Sequence, residues 1–180
     1  MPFRKWLPEN ARPGVLLKPH PESGDLVMRL TEVLLRGPSS LTPAQRELIA
    51  AYTSAVNACE FCYGTHAATA EALGVDDRWL TRLIDDLETA PVDAKLKPIL
   101  RFVRKLTRTP ARVRQEDVDA IFAAGWNEEA FYHAVSICGL FNYYNRLIEG
   151  YGVKSTPDYR KRVGERLAEQ GYTTALQIPD

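Results

Sequence analysis

From Asp25 to Gly171 the chain is a succession of stretches whose apolar residues recur at three- and four-residue spacing, with no convincing alternation of period two between them. That periodicity confines the fold to the all-α class, and the punctuation agrees. Gly37-Pro38 stops a first helix over about 25–36, whose Leu26, Leu30, Val33 and Leu34 share a stripe expected to face the core. Thr42-Pro43-Ala44-Gln45 reads as a capping box that opens a second helix running towards Asn57. Asn57 with Glu60 reads as another, opening a third helix over about 58–73. Further helices are predicted near 77–88, 94–108, 116–124, 128–149 and 158–170. The helix near 128–149 is apolar on most sides and is expected at the centre, with Cys138 as a small core residue.

Residues 1–24 are set apart by Pro2, Pro8, Pro13, Pro19 and Pro21, which argue against a helix and for an extended arm. Phe3, Trp6, Leu7, Val15, Leu16 and Leu17 make that arm too apolar for solvent, so it is expected to lie along its own domain or a neighbouring subunit. The expected organisation is this arm followed by one helical domain over 25–180.

The chain has 180 residues, 45% of them hydrophobic, with 23 Lys+Arg balancing 23 Asp+Glu. These values exclude intrinsic disorder and argue against a dedicated nucleic-acid binder. Three cysteines are too few to staple a disulfide scaffold. No apolar run approaches the ~20 residues that span a bilayer, and none follows the basic residues at the N-terminus as in a signal peptide. The expectation is a cytoplasmic protein with neither membrane nor nucleic acid among its partners. Eight basic residues in 94–114 follow an acidic stretch over 76–93, and are read as two solvated faces that attract each other.

Chemistry concentrates in one segment, where Cys59, Cys62 and His66 fall within eight residues. On a helix beginning at 58 they share a stripe, and Cys62 and His66 are one turn apart, near enough for an imidazole to take a thiol proton. A Cys-x-x-Cys at a helix start is a redox device: the helix terminus and a nearby base acidify one thiol, and the second closes a disulfide. Glu47 lies 12 residues before Cys59 and can serve these groups only if the chain reverses between the second and third helices, bringing Glu47 and His66 face to face. Other readings of the pair are weaker. Zinc wants four ligands and three are local; haem attachment wants a histidine where Tyr63 stands; a thioredoxin fold wants strands. Two buried small residues with no chemistry is the remaining one.

The spacing Glu47, Cys59, Cys62, His66 resembles the active-site motif of the AhpD-like alkylhydroperoxidases within the carboxymuconolactone decarboxylase superfamily. Tyr52, Ser54, Asn57 and the stretch Phe141-Asn142-Tyr143-Tyr144-Asn145-Arg146, with Gly150, Gly152 and Val153, are similar to its peroxidase-related branch, so the resemblance covers about 41–153. It implies a helical fold in homo-oligomers, often trimers or hexamers, and thiol-dependent reduction of hydroperoxides as an antioxidant activity. Cys62 would be the attacking thiol, Cys59 the proton donor and resolving partner, and Glu47 and His66 the proton relay. Electrons would come from an external dithiol, such as a lipoyl or thioredoxin-like protein, with no metal or organic cofactor. The chain departs from the pattern at Phe61, where well-characterised AhpD proteins carry a second histidine. The order of the thiols stays open: the helix dipole favours Cys59 as the more acidic, whereas the His66 spacing favours Cys62. A redox-sensing oligomer that forms the same disulfide without turnover is the alternative.

Overall fold

The computed structural model describes residues 2–173, apart from the side chains of Asp77, Arg78 and Thr81; Met1 and 174–180, part of the expected spans, lie outside the described residues. The described residues form helices α1 (Pro13–Leu17), α2 (Pro21–Arg36), α3 (Pro43–Val56), α4 (Glu60–Ala72), α5 (Asp77–Asp85), α6 (Lys97–Arg108), α7 (Gln115–Ala123), α8 (Glu128–Tyr151) and α9 (Pro157–Gln170), with a 3-10 turn at Pro110–Arg112 and no strand. None of these helices is long and apolar enough to cross a membrane.

The N-terminal segment corrects one expectation. Its prolines do not exclude helix, because Pro13 and Pro21 occupy first-turn positions of α1 and α2, where a missing N–H breaks no bond. The segment does lie along its own domain: Leu7, Leu16 and Leu17 are buried, and the Phe3 N–H donates to the Tyr151 carbonyl at 2.9 Å. A second correction concerns α2. Leu26, Leu30 and Val33 are 69%, 45% and 61% exposed, while Met28, Thr31, Leu34 and Leu35 face the core. The helix has two apolar faces, and within one chain only one is covered.

α3 and α4 form the antiparallel pair on which everything else is laid, with α8 across α3 and α9 along α4. The capping box at α3 forms as read: Thr42 Oγ1 accepts from the Gln45 N–H and the Gln45 side chain accepts from the Thr42 N–H. Asn57 and Glu60 make no such box. Asn57 ends α3, its amide spans to Asn142 and Asn145 of α8 at 3.1 and 2.9 Å, and Glu60 pairs with Arg160 of α9. The reversal runs instead through Ala58 at φ 55°, a left-handed conformation costly without glycine, and Cys59 becomes the N-cap of α4.

The close approach of α9 to α4 rests on Gly164. A Cβ there would sit 2.6 Å from Ala68 Cβ and 2.8 Å from the Thr69 backbone nitrogen. The helix 128–149 of the sequence reading is α8, capped by Asn127 and ended by Gly152 in the left-handed region. Cys138 is fully buried in it, 3.2 Å from Thr107 Oγ1, as a core residue. Arg146 is exposed and held by Asn142 rather than by a carboxylate. The acidic and basic stretches meet where Arg101 grips Glu88 with two hydrogen bonds.

Candidate functional site

Glu47 sits mid-helix on the α3 face that meets α4 and has no exposed surface. Its Oε2 is 2.7 Å from Nδ1 of His66 across the helix pair, the juxtaposition that the spacing required. Two partners unforeseen in the sequence complete the carboxylate: Arg36, from the last turn of α2, at 2.6 Å from Oε1, and the Tyr172 hydroxyl, just beyond α9, donating to Oε1 at 2.6 Å. Burial works to raise the Glu47 pKa, but the hydrogen bond and charge of His66, the Arg36 charge and the Tyr172 hydroxyl outweigh it and hold it below the usual carboxylate value. Burial, then the Glu47 charge, push Tyr172 well above the usual phenol value, so it stays a donor.

Tyr172 is itself held. Its N–H donates to Oε2 of Glu32, and the Arg36 guanidinium lies 5.0 Å from its ring centroid while donating to the Leu167 carbonyl. An ionised Glu47 with both oxygens engaged can only accept, so Nδ1 of His66 carries the proton and the other ring nitrogen is left for the remaining chemistry. Phe141 of α8 packs edge-on against the ring at 4.4 Å and fixes its plane.

The sulfurs lie at the N-terminal end of α4, with His66 one turn beyond Cys62. Cys59 is fully buried and Cys62 nearly so, both as free thiols. Among the described residues no hydrogen bond joins His66 to either sulfur; the nearest influence on each thiol is the other. Contact with Cys62, and after it the Cys62 backbone N–H at the start of α4, lower the Cys59 pKa against its burial. Cys62 is pushed well above the usual thiol value by Cys59 and by burial. Cys59 is therefore the more acidic of the two thiols, with its contact to Cys62 as the first cause.

A cavity of about 550 Å³ opens over the same surface, lined by residues of α1, α2, α4, α8 and α9. Cys62 and His66 face into it among Met28, Phe61, Phe141 and Tyr144, whereas Cys59 does not line it. Acidity and access are therefore divided between the thiols. The position before Cys62 is a wall of this cavity: Phe61 packs on Tyr159 of α9 at 5.8 Å between ring centroids.

The carboxymuconolactone decarboxylase family model matches residues 21–104, the span holding Glu47, Cys59, Cys62 and His66. An uncharacterized peroxidase-related protein from Silicibacter sp. TM1040 superimposes with a TM-score of 0.72 at 26% identity, over 78% of this chain and 74% of that one. Over residues 21–104, which hold the motif, the chain resembles the carboxymuconolactone decarboxylase family. The fold of this AhpD-like chain also matches an alkylhydroperoxidase AhpD core protein from Ralstonia eutropha JMP134, with a TM-score of 0.76 at 21% identity over 84% and 79% of the two chains. It matches the debrominase Bmp8, solved with 2,3,4-tribromopyrrole, with a TM-score of 0.72 at 15% identity over 85% and 82%. One superfamily fold thus carries more than one chemistry. No curated protein matches the sequence.

Proposed function

We propose that the protein is a thiol-dependent hydroperoxidase of antioxidant role that reduces organic hydroperoxides through Cys62 and Cys59. The observation that carries the reading is that Cys62 and His66 open together on a largely apolar cavity while an ionised carboxylate fixes the imidazole from behind. The size of that cavity suits a hydroperoxide with a hydrocarbon body rather than hydrogen peroxide alone.

As the peroxide arrives, the Cys62 proton passes to the Cys59 thiolate and the Cys62 sulfur attacks the terminal peroxide oxygen. The O–O bond breaks, Cys62 becomes a sulfenic acid, and the alkoxide leaves as the alcohol on a solvent proton passed through His66, which Glu47 orients. Cys59 then attacks the oxidised sulfur, releasing water and closing the disulfide. An external dithiol, of lipoyl or thioredoxin-like type, returns two electrons and two protons. Glu47 in this scheme orients and stabilises His66 rather than moving a proton itself.

A cytoplasmic location would keep the thiols reduced between turnovers. A homo-oligomer, trimer or hexamer, is supported by the uncovered Leu26–Leu30–Val33 ridge of α2, an exposed apolar face on one helix. Sedimentation of the native protein against Leu30→Glu tests it, with dissociation expected and an unchanged mass contradicting it.

Steady-state consumption of cumene hydroperoxide with dihydrolipoamide tests the function. Turnover is expected in the native protein and absent in Cys62→Ser; equal rates would overturn the reading. Disulfide formation without turnover would instead support the redox-sensing oligomer.

A further inference from the structure

The mechanism above leaves one proton without a destination. Cys59 receives the Cys62 proton in the first step and must lose it again to attack the oxidised sulfur, yet Cys59 is fully buried and does not line the cavity. Neither His66 nor Glu47 is available, since the two are joined to each other and, among the described residues, no hydrogen bond joins His66 to either sulfur.

The face that α8 turns towards the site runs antiparallel to the motif. Phe141 meets His66; Asn145, one turn on, donates to Ser54 and accepts from Asn57 beside Cys62; Glu149, one turn further, comes to Cys59. The two oxygens of Glu149 differ. Oε2 accepts from Lys154 Nζ at 2.9 Å on a side chain that is 36% exposed, whereas Oε1 is buried with no hydrogen-bond partner among the described residues. A buried carboxylate oxygen left idle is costly unless something uses it. The charged or titratable groups around it are Cys59, Cys62, Lys154 and, beyond Lys154, Glu60, which Arg160 neutralises.

We propose that Glu149 is a catalytic base for disulfide closure, taking the Cys59 proton on Oε1 and releasing it to solvent past Lys154. The step rests on the hydroperoxidase reading and balances within it. The Cys59 sulfur supplies the electron pair of the new S–S bond, the S–O bond of the Cys62 sulfenic acid breaks, and hydroxide leaves into the cavity, where it collects a proton from solvent. The Cys59 sulfur is oxidised and the Cys62 sulfenic sulfur is reduced, both to the disulfide level, and the oxygen leaves as water. The Glu149 charge also raises the Cys59 pKa, so the carboxylate discourages a free thiolate while accepting the proton in the transition state.

That opposition gives the test. Native protein and Glu149→Gln are each mixed with one equivalent of cumene hydroperoxide, and the sulfenic acid and the disulfide are followed by quenched-flow mass spectrometry across pH. Alkylation rates of Cys59 are measured alongside. In Glu149→Gln, alkylation of Cys59 is expected to begin at lower pH, yet closure is expected to slow at least about tenfold relative to sulfenic acid formation near neutrality. A purely electrostatic or structural Glu149 would not give this split: closure as fast as native, or faster, overturns the assignment alone. If the native protein forms neither species, the hydroperoxidase reading falls and the assignment with it, a result distinct from the first. Should Glu149→Gln fail to fold, Glu149→Asp keeps the charge but draws the carboxylate back from Cys59. Closure is then expected to slow relative to sulfenic acid formation, and an unchanged ratio overturns the proposal.

Discussion

Glu47 beside His66 and Glu149 beside Cys59 stand in opposite circumstances. Glu47 is fully buried with both oxygens taken up by His66, Arg36 and Tyr172; Glu149 is part-exposed, with one oxygen on Lys154 and the other idle. A carboxylate engaged at both oxygens serves by holding its neighbour in one orientation. An idle one beside a thiol can receive. The molecule separates orientation from transfer by giving each its own acid.

The largest expected effect comes from the carboxylate engaged at both oxygens. Glu47→Gln leaves the Arg36 guanidinium facing a neutral amide, which should cost roughly 3–5 kcal/mol of stability, read as a lowered denaturant midpoint. Hydroperoxide turnover should fall at least about a hundredfold as His66 loses the carboxylate that orients it. A variant as stable and active as native would erase the distinction between the two acids.

The same carboxylate sets an acid limit. Its folded pKa is depressed, so its contribution to stability is complete above the unfolded carboxylate value of about 4.3 and is lost as pH falls through the folded value beneath that. Native protein should therefore weaken more steeply than Glu47→Gln on acidification below about pH 4.3. Parallel acid unfolding curves would contradict the assignment.

Tyr172→Phe sharpens the comparison with a smaller change. It removes one donor to the ionised carboxylate and should cost roughly 1.5–3 kcal/mol. Turnover should drop only several-fold, because His66 and Arg36 remain. Gly164→Ala acts on the same donor from a distance: its methyl group would collide with Ala68 and Thr69 and push α9, with Tyr172 at its end, off α4. A loss of roughly 1–3 kcal/mol is expected. Tyr172→Phe added to Gly164→Ala should then cost less than it does alone, and strict additivity would show that α9 does not deliver the tyrosine.

What the sequence revealed divides by range. The Thr42–Gln45 box and the Asn127 cap are settled by neighbours within four residues and were legible, whereas the helix read to 149 runs on to Tyr151 and stops at Gly152 instead of Gly150. The four-residue motif was legible because its spacing, with one chain reversal, leaves His66 little choice but to face Glu47. Asn57 was misread because its amide is claimed by Asn142 and Asn145, more than eighty residues away. Arg36 looked like an ordinary basic residue at a helix end, and Tyr172 like an aromatic past the last helix; their common partner lies on a third helix. An arginine and a tyrosine bracketing helices that both pack beside the motif were the available signal, and it is a faint one. Periodicity found the apolar residues of α2, but a helix with two apolar faces does not announce which one the same chain will cover.

The central claim is that Cys62 meets the peroxide and Cys59 closes upon it. Mass spectrometry after one equivalent of cumene hydroperoxide tests it directly. The account predicts a peptide holding both residues that is two hydrogens lighter, with Cys138 still free and a trappable Cys62 sulfenic acid when Cys59 is replaced by serine. Unmodified Cys59 and Cys62, or oxidation that falls first on Cys138, would contradict it.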